Sequence, residues 1–179
     1  MPKQLQLANA RFLRSAQRTA STNLVDQSVT VACPSSIALA GIERYFDLRG
    51  NSLDLTVVLD EKRSSGQIAE YHVAVEYEPH PNRSEVGRHY DRIELTWRFQ
   101  HETQPSFRGR LTIRPSGTKT ALVLKGSDGP ALERFDSAEP LGRRNEIVQA
   151  TGRLLLREFK TMLENEFEAL RERQPVDNA

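Results

Sequence analysis

The chain has 179 residues, 37% of them apolar, with 25 Lys and Arg against 24 Asp and Glu for a formal charge of +1. That length buries a real core in one domain with an extension, and the balanced charge provides no global field to draw nucleic acid or an acidic partner. No apolar run approaches the ~20 residues of a bilayer crossing, and the one cysteine, Cys33, rules out an internal disulfide and fits a reducing, cytoplasmic interior.

Residues 1–27 read as a basic N-terminal extension, in which Lys3, Arg11, Arg14 and Arg18 meet no acidic residue before Asp26. Such a segment fits a frayed tail or a short helix laying Phe12 and Leu13 on the body; transit peptides share its Arg-rich, acid-poor composition. Ser28 to Ala32 alternates and predicts a first strand. Pro34, Ser35 and Ser36 then mark a helix entry, where proline's fixed φ suits the first turn and a serine oxygen can accept an orphan N–H. Leu39, Ile42, Tyr45 and Phe46 recur at helical spacing, predicting a short helix over 35–46 that Gly50-Asn51 ends.

A run of alternating segments follows. SLDLTVVLDE puts Leu53, Leu55, Val57 and Leu59 on one face, and IAEYHVAVEYE puts Ala69, Tyr71, Val73, Val75 and Tyr77 together. EPHPNRSEVGRHY is a long hairpin loop. DRIELTWRFQHE sets Ile93, Leu95, Trp97 and Phe99 against Arg92, Glu94, Thr96 and Arg98, and FRGRLTIRPSG turns Phe107, Leu111 and Ile113 inward. Pro115-Ser116-Gly117 turns tightly into KTALVLKGS. No helix-length crossover separates these strands, so they pair antiparallel. Pro140 to Arg173 is one long amphipathic helix with an apolar stripe running from Ile147 to Leu170. About thirty residues at 1.5 Å each give ~45 Å, and a helix with so wide an apolar face needs a curved sheet beneath it. Residues 173–179 form a tail.

Strand, short helix, antiparallel meander and long C-terminal helix together resemble the helix-grip fold of the START-like, or SRPBCC, superfamily, which includes polyketide cyclase-like and Bet v 1-like proteins. TVACPSSIALAGI is similar to that family's first strand and proline-marked helix, RGRLTIRPSGTKTALVLKGS to its late hairpin, and LGRRNEIVQATGRLLLREF to the start of its gripping helix. The likeness covers roughly residues 28–172, with one helix between the first two strands where many relatives have two. The expected fold is therefore α+β, a curved antiparallel sheet of about six strands wrapped on the last helix. The resemblance implies a cavity between sheet and helix that takes a hydrophobic or amphipathic small molecule; some relatives are enzymes, some carriers and some bind chaperones.

Candidate ligand-binding residues follow from the inward faces: Tyr71, Val73, Val75, Tyr77, Leu95, Trp97, Phe99, His101 and Phe107 on strands, and Thr151, Gly152 and Leu155 on the helix. Glycine inside a helix costs ~1 kcal/mol relative to alanine; Gly152 either leaves room for a ligand or lets the backbone approach a bulky residue such as Trp97. The aromatics either line a cavity or fill a core, and His101 falls at the rim. Arg92, Arg98, Arg108, Arg110 and Arg114 read as a solvated face paired with Glu94 and its neighbours across strands, rather than a phosphate-binding surface. Arg143 and Arg144 oppose the helix dipole, so Asp136 and Glu139 hold them or they greet an anionic ligand group. His72, His80, His89 and His101 have no metal-ligand spacing, and no phosphate-loop, dinucleotide or nucleophile-elbow string occurs, so neither metal nor cofactor is expected. Three classes stay open: a carrier of an apolar or amphipathic molecule, a cyclase-type enzyme with His101 or Tyr71 as its polar group, and a protein-binding module whose pocket its own side chains fill.

Overall fold

The structure is a computed structural model that describes residues 25–60, 68–78, 91–99, 107–128 and 141–173. The expected tail, nearly all of the basic extension, His80, His89, His101, Asp136 and Glu139 lie outside the described residues. The elements are β1 (Val25–Val31), α1 (Ser35–Asp47), β2 (Ser52–Asp60), β3 (Ile68–Glu78), β4 (Asp91–Phe99), β5 (Phe107–Ser116), β6 (Lys119–Asp128) and α2 (Leu141–Arg173).

The six strands form one curled antiparallel sheet in the order β1-β6-β5-β4-β3-β2. The meander β2 to β6 pairs each strand with the next, and the turn after β5 is tight enough that Ser116 faces Lys119, with Gly117 at φ 64°. That left-handed conformation suits glycine because no Cβ opposes it. β1 closes against β6 rather than β2, so two strands consecutive in sequence occupy opposite edges. α2 lies across the concave face and packs against both edge strands. The grip is literal: one helix holds the two ends of one sheet.

Alternation sets the inner face. Leu53, Leu55, Val57, Val73, Val75, Ile93, Leu95, Trp97, Leu111, Ile113, Leu122 and Leu124 are all buried there, and Ile147, Val148, Leu155, Phe159 and Leu163 of α2 meet them. β1 begins at Val25, three residues before the expected start, because Gln27 occupies an inward position and interrupts the apolar signal. Its amide nitrogen donates to the Gln149 carbonyl at 3.0 Å and to Gln149 Oε1 at 2.8 Å, which lets a polar residue sit between sheet and helix.

α1 opens differently from the expectation. No serine side chain caps it; the Pro34 carbonyl accepts from Ile37 N at 3.1 Å and Ala38 N at 3.0 Å. A single helix does occupy the link between β1 and β2. Its Tyr45 and Phe46 rings meet Phe159 of α2 edge-on, each 5.9 Å between centroids. Gly41 lets the two helices cross closely, since a methyl there would lie 2.5 Å from Leu163.

Candidate functional site

The inward residues divide into a closed centre and an open rim. At the centre, Gly109 of β5 and Gly126 of β6 face each other across the sheet. Without side chains they leave a recess on the concave surface, and the Phe107 ring lies in it: a methyl on Gly109 would stand 2.8 Å from Phe107 Cζ. Trp97, the cross-strand neighbour of Phe107, stacks on that ring with 4.0 Å between centroids. Gly152 of α2 then meets Trp97, where a methyl would sit 3.3 Å from Cη2. Three glycines thus allow two aromatic rings to stand between sheet and helix.

Along this line the chain's own side chains occupy the space. Trp97, Phe107, Thr151 and Leu155 have no exposure at all, so none of them borders a void that admits a water-sized sphere. Val73, Val75 and Leu95 are at most 1% exposed. Around Gly152 a methyl would meet Gln27 Oε1 at 2.8 Å, Trp97 Cη2 at 3.3 Å and Val25 Cγ1 at 3.3 Å. The Thr151 hydroxyl is also accounted for, donating to the Ile147 carbonyl at 2.8 Å.

Tyr71, Tyr77 and Phe99 form the rim and stay partly exposed. Here the basic start of α2 finds its partners. Arg143 Nε donates to the Tyr71 hydroxyl at 3.0 Å, its guanidinium carbon stands 5.3 Å from the Tyr71 ring centre, and Nη1 reaches Glu146 at 3.0 Å. Arg144, nearly buried, lies 5.5 Å over the Phe99 ring. Cation–aromatic contacts of this kind contribute ~0.5–2 kcal/mol, enough to offset the unfavourable dipole. The hydrogen bond from Arg143 to Tyr71 raises the guanidinium's already high pKa.

Beside this pair a hollow of about 490 Å³ opens between the β2 edge and the first turns of α2. Val58, Leu59, Arg143, Glu146, Gln149 and Arg153 line it. Its volume falls within the ~300–1,000 Å³ usual for small-molecule sites. Arg143 therefore belongs both to the hollow and to the aromatic rim, a role sequence alone suggested only through its odd position on the dipole.

Burial first, and then the charges of Glu164 and Glu166, push the Cys33 thiol up, the direction opposite to that of an activated nucleophile. Tyr45 is raised by burial and by its 2.9 Å hydrogen bond to Glu158, and Tyr77 by burial and Asp47. His72 is exposed and faces Thr56 at 3.2 Å. Among the described residues no group of three or more His, Cys, Asp or Glu is placed to hold a metal ion, and no helix is long and apolar enough to cross a membrane.

The order of elements, the curled antiparallel sheet and the spanning last helix decide the architecture. This is a helix-grip architecture, a curled antiparallel sheet closed by one long helix. A START superfamily protein from Mycobacterium smegmatis is similar at 15% identity, with a TM-score of 0.44, over 83% of this chain and 99% of that one. No protein-family model and no curated protein matches the chain.

Proposed function

We propose that this helix-grip domain binds an amphipathic small molecule whose apolar body enters the hollow at the β2 edge and whose anionic head meets Arg143. The observation that carries this reading is the Arg143–Tyr71 contact at the margin of a 490 Å³ hollow. The cation is already desolvated on one side by an aromatic ring, which strengthens its attraction for an anion. Apolar ligand area contributes ~25 cal/mol per Å² on leaving water, so ~200 Å² of a chain or ring supplies ~5 kcal/mol before the costs of immobilisation. The head group adds orientation.

Native mass spectrometry of protein purified from its own host tests for a co-purifying small molecule. Titration with a fluorophore-bearing long-chain carboxylate, and with the corresponding neutral alcohol, then tests the site. We expect Arg143→Ala to weaken the carboxylate at least tenfold and the alcohol little. Equal weakening of both, or no binding of either, removes the proposal.

The filled centre favours a second reading, a protein-binding module. On that reading no small molecule co-purifies and neither probe binds.

A further inference from the structure

The outer face of the sheet carries a second hollow, of about 420 Å³, whose lining shares no residue with that of the hollow at the β2 edge. We propose that this hollow, over β4, β5 and β6, binds a phosphate group of a small molecule or lipid headgroup.

The strand register builds it. Arg108 faces Ser127, Gly109 faces Gly126 and Arg110 faces Lys125. Arg108 and Arg110 project from the same side of β5, two residues or ~7 Å apart along the strand. Three cations and a hydroxyl thus stand at the corners of a rectangle over the glycine pair. The same pair that receives Phe107 on the inner face forms part of the outer hollow's floor. Arg92, one strand away on β4 and opposite Thr112, extends the rim.

Cross-strand pairing accounts for some of this charge and leaves the rest. Glu94 holds Arg110 at 2.6 Å, Asp26 holds Lys125 at 2.9 Å, and Glu76 pairs with Arg98 on the flank. Among the described residues, Glu94 is the only acid that lines the hollow. Arg92 and Arg108 are exposed and have no acidic partner among the described residues. Arg110 directly opposite Lys125 is a like-charge pair, unfavourable in itself. A dianionic group seated between them relieves that repulsion and offers the forked guanidinium of Arg108 a bidentate acceptor. Arginine suits phosphate because its planar donors match two oxygens at once.

Scale separates a phosphate group from nucleic acid. A polyanion binder presents a basic stripe with a strongly positive domain, whereas this chain carries +1 overall. Among the described residues the hollow gathers Arg92, Arg108, Arg110, Arg114 and Lys125 around a space sized for one or two phosphate groups rather than a duplex.

The test uses the full chain and four probes: inorganic pyrophosphate, phosphatidylcholine vesicles with 20% phosphatidic acid, vesicles of phosphatidylcholine alone, and a 20-base-pair DNA duplex. Calorimetry follows pyrophosphate, flotation the vesicles and anisotropy the duplex, each at low and at 0.5 M salt. We expect pyrophosphate or the acidic vesicles to bind at low salt, and the Arg92→Ala/Arg108→Ala double variant to lose at least tenfold in affinity. Those two side chains lie outside the core, so matched circular dichroism and urea midpoints separate lost binding from lost fold. Pyrophosphate binding identifies a free phosphate compound; binding to acidic vesicles alone identifies a lipid headgroup. Binding of neither, affinity unchanged in the double variant, or binding of the duplex alone overturns the proposal. Pyrophosphate has no apolar body for the hollow at the β2 edge, so Arg143→Ala leaves its binding unchanged, and on that probe failure here is distinguishable from failure of the amphipathic-ligand reading.

Discussion

Gly126 and Gly152 bracket the Trp97–Phe107 stack from opposite sides, yet their surroundings tolerate a methyl group differently. At Gly126 it would lie 2.5 Å from the Arg108 carbonyl oxygen and 2.6 Å from Gly109 Cα, both backbone atoms that cannot step aside. At Gly152 the nearest atom is Gln27 Oε1 at 2.8 Å, the far end of a side chain, which can shift by a rotation that backbone atoms cannot make. Alanine at 152 also recovers ~1 kcal/mol of helix propensity. We therefore expect Gly126→Ala to cost ~1–3 kcal/mol, the range for overpacking, and Gly152→Ala to stay within ~1 kcal/mol of the parent. Urea unfolding followed by the emission of Trp97, the single tryptophan, measures both. An equal loss at the two positions contradicts the distinction drawn between backbone and side-chain neighbours.

At the scale of elements, α2 is secured to the rest of the chain by apolar and polar contacts in series. Phe159 is fully buried where α1 and α2 cross, and Phe159→Ala is expected to cost ~3–5 kcal/mol in the same unfolding measurement. One helical turn further on, Glu164 accepts from Lys160 and from the Ala32 backbone N–H, the latter at 3.0 Å, while Lys160 also donates to the Thr30 carbonyl at 3.0 Å. The Lys160 bond, and after it the Ala32 N–H, hold the Glu164 carboxyl below the usual carboxylate range. Its contribution is therefore complete above the unfolded value, ~4.3, and disappears as pH falls through the lower folded value. Urea midpoints from pH 7 to pH 3 should show wild type above Glu164→Gln at neutral pH, with the two converging in acid. The strands were legible because alternation needs only local sequence, and α2 because its stripe runs unbroken. Gln27 shows where that reasoning stops: a polar residue facing inward looks like a strand end until Gln149 is placed opposite it.

For the molecule as a whole, the fold was readable and the division of its interior was not. Trp97, Phe107 and Gly152 were each recognisable as inward or unusual, but their stacking depends on the register that brings Gly109 beside Gly126, and register is a non-local property. The same holds for Arg143, whose partner Tyr71 lies 72 residues and three strands away in sequence. Non-local pairing also governs speed, since proteins dominated by it fold in ms to s rather than μs. Refolding followed by Trp97 emission is expected in that slower range, and a microsecond phase carrying the full amplitude contradicts it. The partnership of β1 with β6 has a further consequence during synthesis. A ribosome adding ~5–20 residues per second makes the first strand several seconds before the strand that pairs with it. Throughout that interval the nascent sheet has an uncovered flank, and the helix that spans its concave face is translated later than all six strands.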